Sequence, residues 1–90
     1  MQWSIRFTRR VEKNISGLPD GARTALMILF AEMRQSGPVR GDWPNYGKLG
    51  KNLHHCHLKK GRPTYVVVWM ERFKGEIEVK YVGTHEDAPY

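Results

Sequence analysis

Two strands and the turn between them are predicted by residues 53–70, which read LHHCHLKKGRPTYVVVWM. From Leu53 to Lys59, a less polar set of side chains (His54, Cys56, Leu58) alternates with a more polar set. Such alternation is the pattern of a half-buried strand. Tyr65 to Met70 is a continuous apolar run, which indicates a strand in the centre of a sheet. The turn-forming residues Lys60-Gly61-Arg62-Pro63 separate the two runs, so we expect the strands to pair antiparallel.

A strand and a short helix are predicted before this segment. The strand is indicated by three apolar residues that alternate with polar ones: Trp3, Ile5 and Phe7. The helix is expected from Arg9 to Ser16. Thr8 is placed to cap its N-terminus, and Gly17 and Pro19 end it.

A second helix is predicted by a stripe of apolar residues at helical spacing. The stripe consists of Ala22, Ala25, Leu26, Leu29, Phe30 and Met33. Gly37-Pro38 ends the helix. Ile28 lies opposite the stripe, where an apolar residue is either an ordinary surface residue or part of a partner surface.

The rest of the chain completes an α+β pattern. Gly37 to Gly50 is rich in Gly, Pro, Asn and Asp, which predicts a loop. After a turn near Lys74-Gly75, a last strand is indicated by Ile77, Val79 and Tyr81, which alternate with Glu78 and Lys80. The order β-α-α-β-β-β, with two N-terminal helices packed on a largely antiparallel sheet, is an α+β fold. Ninety residues suit one small domain, so residues 1–90 are predicted to form a single domain.

The charge is concentrated in the middle of the chain. The net charge is +6 and the pI is near 9.8, which favours a polyanionic partner, nucleic acid first. Gly37 to Arg62 carries six basic residues against one acidic residue, whereas residues 63–90 carry three against five. The basic segment also holds three of the four histidines, so we expect binding there.

Membrane and secretory signals are missing from the sequence. The longest apolar runs, Ala25 to Ala31 and Tyr65 to Met70, are far shorter than the roughly 20 residues of a membrane helix. The first residues lack the apolar segment of a signal peptide, and the single cysteine cannot form an internal disulfide. We therefore expect a cytoplasmic protein with no membrane partner.

Strand alternation divides the histidines of residues 53–59 between two faces. His54 shares one face with Cys56, whereas His55 and His57 share the other, which is the predicted working surface. Neighbours on that face lie about 6.6 Å apart along the strand, so their imidazoles could flank one phosphate. In the alternative interpretation, His54 is a half-buried sheet residue, and His55 and His57 are solvated.

A zinc site built from His55, His57 and His85 is a further alternative, because three nitrogen ligands can hold a catalytic zinc ion. The pattern disfavours it. No acidic residue is spaced to orient a histidine ligand, Cys56 points to the other face, and nearby basic residues oppose a divalent cation. We therefore expect no metal and no cofactor.

The same residue types can cleave RNA. A base must accept the proton of a ribose 2′-OH, an acid must protonate the leaving 5′ oxygen, and cations must stabilise charge on the phosphoryl oxygens. Histidine titrates near pH 6.5 and suits either proton role. Lysine and arginine supply the cations, and an aromatic ring can stack on an unpaired base.

Three segments carry a family resemblance: residues 43–49 (WPNYGKL), 53–65 (LHHCHLKKGRPTY) and 81–90 (YVGTHEDAPY). They resemble the RelE/ParE superfamily of toxins from bacterial toxin–antitoxin systems, in particular the RelE-like cytotoxic translational repressors. The resemblance implies two helices on an antiparallel sheet whose concave face holds the site. It also implies cleavage of messenger RNA in the ribosomal A site.

The resemblance assigns roles to individual residues. The implied catalytic residues are His55, His57, His85 and Tyr90. The first two correspond to lysines of RelE, and His85 corresponds to an arginine or histidine. The implied RNA-binding residues are Lys48, Lys51, Lys59, Lys60 and Arg62. The strand that begins at Tyr65 lacks the arginine that RelE carries near the start of its equivalent strand.

The sequence therefore predicts a metal-independent mRNA endoribonuclease toxin that acts on the ribosome. Its implied partner is a cognate antitoxin with an acidic, partly apolar surface. Two other functions stay open: a gyrase inhibitor of the ParE branch, and a non-catalytic basic module that binds RNA or DNA.

Overall fold

A computed structural model describes residues 2–59, 61 and 63–90, with Lys59 described by its backbone alone. The elements in chain order are β1 (Ser4–Phe7), α1 (Arg9–Ser16), α2 (Asp20–Ser36), β2 (Gly47–Gly50), β3 (Leu53–Lys59), β4 (Tyr65–Glu71) and β5 (Glu76–Thr84). The strands form one sheet in the order β1-β5-β4-β3-β2. Adjacent strands are antiparallel, except for β1 and β5, which are parallel.

Both helices form as the sequence predicts. Thr8 caps α1, its hydroxyl accepting a hydrogen bond from the Val11 amide at 3.2 Å. In α2 the apolar stripe is buried, apart from the partly exposed Ala25, and Ile28 on the opposite side is 51% exposed. After α2, Gly37 has φ +94°, a left-handed conformation that glycine adopts without strain. Among the described residues, no helix is long and apolar enough to cross a membrane.

The core lies between the helices and one face of the sheet. α1 packs against β5 and β1, and α2 packs against β3 and β1. β4 is the central strand, as its apolar run predicts, and its Trp69 is fully buried. The Trp69 indole donates a hydrogen bond to the Pro38 carbonyl at 3.0 Å, so the burial leaves its N–H group satisfied.

The strand β2 lies in the segment Gly37 to Gly50, which the sequence predicts to be a loop. Gly47 pairs with His55 and Lys48 with His54, followed by an irregularity before Gly50. A four-residue edge strand with glycine at both ends carries little strand signal, because glycine is disfavoured in strands. Its pairing with β3 determines its structure.

A β-bulge in β5 corrects the predicted alternation of that strand. Val68 pairs with Tyr81 and Trp69 with Val79, so Lys80 is the extra residue on β5. Beyond the bulge, the residue that joins Ile77 and Val79 in the core is Val82. The prediction that Tyr81 shares their face is therefore wrong, because the inserted residue reverses the alternation.

Candidate active site on the open face of the sheet

The strand β3 presents its histidines to two different environments. His54 and Cys56 are fully buried and face the helices. His55 and His57 are half-buried and point to the opposite side, as the alternation predicts. Burial raises the pKa of the Cys56 thiol to about 12, so this cysteine stays protonated and is not a nucleophile.

The side of the sheet away from the helices is here called the open face. Side chains directly opposite each other on paired strands share a face. His57 is in register with Val66, which is in register with Gly83. The neighbouring row contains His55, Val68 and Tyr81. The open face therefore has an apolar floor of β4 valines with histidines along one side.

Four aromatic side chains meet above this floor and are here called the ring cluster: His55, His57, His85 and Tyr90. The His57 and His85 ring centroids are 5.4 Å apart, with the rings nearly perpendicular. His85 and Tyr90 are 5.9 Å apart, and Tyr90 and His55 are 4.9 Å apart. The structure thus brings together all four residues that the sequence resemblance implies to be catalytic.

A turn after β5 brings His85 and Tyr90 to the open face. The His85 amide donates to the Thr64 carbonyl at 2.8 Å, which ties the turn to the start of β4. The Ala88 amide donates to the His85 carbonyl at 3.2 Å. These two bonds turn the chain back toward β3, where the Tyr90 ring contacts His55.

His55 lies between the Tyr90 ring and the backbone of Gly47. A Cβ atom on Gly47 would lie 3.2 Å from His55 Nε2, so the glycine leaves room for the imidazole. Burial, and secondarily the charge of His85, lowers the pKa of His55. Its Nδ1 is buried with no hydrogen-bond partner among the described residues. His55 is therefore a neutral imidazole at pH 7.

A pocket of about 730 Å³ opens beside the ring cluster and is here called the site pocket. Its lining residues are His57, Gly61, Pro63, Thr64, Thr84, His85 and Glu86. The volume lies in the usual range of ligand sites, about 300–1,000 Å³. The two histidines are thus placed where both can reach a group bound in the pocket.

The predicted RNA-binding lysines are only partly placed by the structure. Lys48 is in register with the buried His54, so it lies on the side of the sheet away from the ring cluster. Lys51 is exposed in the β2–β3 turn, at the opposite end of β3 from the site pocket. The side chain of Lys59 is not described, and the predictions for Lys60 and Arg62 lie outside the described residues.

Several residues of the site were missed by sequence reasoning. Thr64, Thr84 and Glu86 line the site pocket because the start of β4 and the end of β5 are adjacent in the sheet. The pairing of Tyr65 with Thr84 creates this proximity, and it has no signature in either segment alone. A second groove, of about 610 Å³, shares Thr84 with the site pocket and is lined by Arg10 and Lys13 of α1.

A metal centre receives no support from the geometry. Within residues 2–59, 61 and 63–90, no group of three His, Cys, Asp or Glu side chains is arranged to hold a metal ion. The imidazoles of the ring cluster can transfer protons, and its phenol ring can stack on another aromatic group.

The fold is that of RelE-like toxins, as the sequence resemblance implies. A mutant of the E. coli toxin RelE in the free state is similar to this chain with a TM-score of 0.71 at 21% sequence identity, over 96% of this chain and 86% of that one. The archaeal RelE–RelB complex from Pyrococcus horikoshii OT3 is similar with a TM-score of 0.69 at 14% identity, over 98% and 100%. No protein-family model and no curated protein matches the sequence.

Proposed function

We propose that this chain is a toxin that cleaves messenger RNA on the ribosome and is neutralised by a cognate antitoxin. The observation that carries the proposal is the ring cluster. Three histidines and a tyrosine converge on the open face of a RelE-like sheet, beside a pocket that two of the histidines line.

His57 and His85 are the proposed acid–base pair. Their rings are in contact, with centroids 5.4 Å apart, and both line the site pocket, so both can reach one phosphodiester bound there. One imidazole accepts the proton of the 2′-OH as its oxygen forms a bond to phosphorus. The other, as imidazolium, protonates the 5′ oxygen as the P–O5′ bond breaks. The products are a 2′,3′-cyclic phosphate and a 5′-hydroxyl, with no net consumption of protons.

Tyr90 and His55 are the proposed base-holding residues. Tyr90 is 46% exposed, so its ring is available to stack on an unpaired base. Neutral His55 lies 4.9 Å behind it and supports the ring without adding charge. The phosphate-binding cations of the proposal are Lys59, Lys60 and Arg62, which are close in sequence to two residues that line the site pocket, Gly61 and Pro63.

Primer extension on messenger RNA after brief induction in a bacterium tests the proposal. We expect cuts within translated codons, and a loss of about 10²- to 10⁴-fold in their rate with His85→Ala. Gln35→Ala, an exposed change on α2, is the matched control and should cut normally. Intact transcripts together with loss of DNA supercoiling would favour the gyrase inhibitor instead. RNA binding that never yields a 2′,3′-cyclic phosphate, even with translating ribosomes, would favour the non-catalytic module.

The proposed partner is an antitoxin with an acidic, partly apolar surface. The net charge of +6 favours an acidic partner, and the apolar Met27 and Ile28 are 46% and 51% exposed on α2. One similar structure is a complex between a RelE and a RelB. Co-expression with a neighbouring small gene should give a co-purifying, inactive complex. A neighbour that neither co-purifies nor rescues growth would contradict this part of the proposal.

A further inference from the structure

The β5 bulge gives Tyr81 a position that an uninterrupted strand would not. Without Lys80 as an extra residue, Tyr81 would share the buried face of Ile77 and Val79. With it, Tyr81 pairs with Val68 on the open face. A large aromatic residue is thus directed away from the core and toward the turn that carries His85.

The Tyr81 ring lies over the backbone of Gly83. A Cβ atom built on Gly83 would lie 2.6 Å from the Tyr81 hydroxyl oxygen and 2.9 Å from Cζ, closer than van der Waals contact allows. The φ angle of Gly83 is not in the left-handed region, so any residue could adopt this backbone. A side chain at position 83 would therefore displace the Tyr81 ring, which occupies the space of its Cβ atom.

The Tyr81 hydroxyl donates a hydrogen bond to the Thr84 carbonyl at 2.7 Å. That carbonyl directly precedes His85, and its other described donor is the Asp87 amide at 3.3 Å. The Thr84 hydroxyl also donates to the Asp87 carboxylate at 3.2 Å. Burial raises the pKa of Tyr81, so the phenol remains protonated and able to donate at neutral pH.

We propose that Tyr81 is a positioning residue: by holding the Thr84 carbonyl, it fixes the turn that places His85 against His57 and Tyr90. The expected effect of Tyr81 on RNA cleavage rests on the proposed function. Its expected effect on the position of His85 does not depend on that function. Three hydrogen bonds hold the backbone at this point. The Thr84 carbonyl accepts from the Tyr81 hydroxyl, and the His85 amide donates to the Thr64 carbonyl. The His85 carbonyl accepts from the Ala88 amide. Tyr81 supplies the only side-chain bond of the three.

Tyr81→Phe tests the proposal, because it keeps the ring over Gly83 and removes only the hydroxyl. Misplacing a reacting group by about 1 Å can cost roughly 10² in rate, so we expect kcat for RNA cleavage to fall about ten- to hundredfold. KM should change less, because the pocket lining is retained. Tyr65→Phe, a partly buried tyrosine on the neighbouring strand, is the matched control and should leave kcat unchanged.

A double-mutant comparison separates positioning from a general loss of structure. If Tyr81 acts through His85, Tyr81→Phe should have no further effect on the residual cleavage rate of His85→Ala. Additive losses would overturn the proposal. Gly83→Ala, which displaces the ring, should reproduce the kcat loss of Tyr81→Phe.

An NMR measurement without RNA distinguishes this proposal from the proposed function. The wild type should show nuclear Overhauser effects between the His85 and Tyr90 rings, which are 5.9 Å apart by centroid. These should weaken in Tyr81→Phe and persist in Tyr65→Phe. Unchanged effects in Tyr81→Phe would refute the positioning role. If they weaken although the wild type cleaves no RNA, the positioning role stands and the nuclease proposal falls.

Discussion

Replacing His54 by alanine should destabilise the protein far more than replacing its neighbour His57. The His54 imidazole is fully buried and stacks on the Trp69 ring, with centroids 5.7 Å apart and planes within 6°. The Tyr46 ring covers it at 5.9 Å, and the Tyr46 hydroxyl and His54 Nδ1 are joined by a hydrogen bond of 2.7 Å. The Tyr46 and Trp69 rings also contact each other, with centroids 6.2 Å apart. Alanine would remove one of these three mutually contacting rings and leave the tyrosine hydroxyl without this partner.

The expected cost follows from the burial. Truncating a buried aromatic residue to alanine costs about 3–5 kcal/mol, and the smaller imidazole suggests about 2–3 kcal/mol. The lost hydrogen bond adds about 1 kcal/mol. A total near 3–4 kcal/mol corresponds to a decrease in Tm of roughly 12–30 °C in a domain of this size.

Urea unfolding followed by circular dichroism measures this difference. His57→Ala is the control, because it makes the same substitution on the same strand at a half-exposed position, where we expect a loss below about 1 kcal/mol. The folded fraction of His54→Ala should keep its cleavage activity. A loss below about 1 kcal/mol, or one equal to that of His57→Ala, would refute the packing role assigned to His54.

Three further predictions concern pH, the C-terminal turn and metal. Burial lowers the pKa of His54 from its ordinary value of 6.5. Below that pH, the unfolded chain therefore binds a proton at His54 more readily than the folded chain does. The free energy of unfolding should accordingly fall as the pH decreases. His54→Phe should flatten this dependence below about pH 6.5. An unchanged slope would contradict the assignment. Tyr90→Ala should abolish growth inhibition with little change in Tm, whereas Tyr90→Phe should remain toxic; full toxicity of Tyr90→Ala would show that Tyr90 is misplaced in the mechanism. Cleavage should survive a zinc-selective chelator that spares magnesium; loss of activity that zinc restores would revive the zinc alternative.

Local patterns in the sequence were sufficient to predict most of the elements. Thr8 and Gly37 mark helix ends through capping and backbone conformation, which depend on nearby residues only. The face of each β3 histidine follows from the two-residue period of a strand. Features that depend on pairing could not be predicted in this way. β2 is a strand because it pairs with β3, and the bulge at Lys80 exists only in the register between β4 and β5.

The candidate site was less accessible to sequence reasoning than the fold. Nothing in the spacing of His57 and His85 indicates that their rings meet, because the contact depends on β4 lying between β3 and β5. The family resemblance supplied that expectation. For Lys48, closeness in sequence was misleading. It lies near the histidines in sequence, which suggested a shared site, but its register with His54 places it on the other side of the sheet.

The parallel pairing of β1 with β5 has a consequence for how the chain folds. Ser4 pairs with Glu76 and Phe7 with Val79, so this pairing closes a loop that spans most of the chain. Closing such a long loop reduces chain entropy before stabilising contacts form, whereas the β2–β5 meander is built from strands that are close in sequence. We therefore expect the meander to form first and β1 to join last. During synthesis, β1 and both helices emerge before residues 76–79 exist, so the apolar stripe of α2 is exposed before His85 and Tyr90 have been added. The nascent chain is thus open to a binding partner, and prone to aggregation, at a stage when its proposed active site is still incomplete.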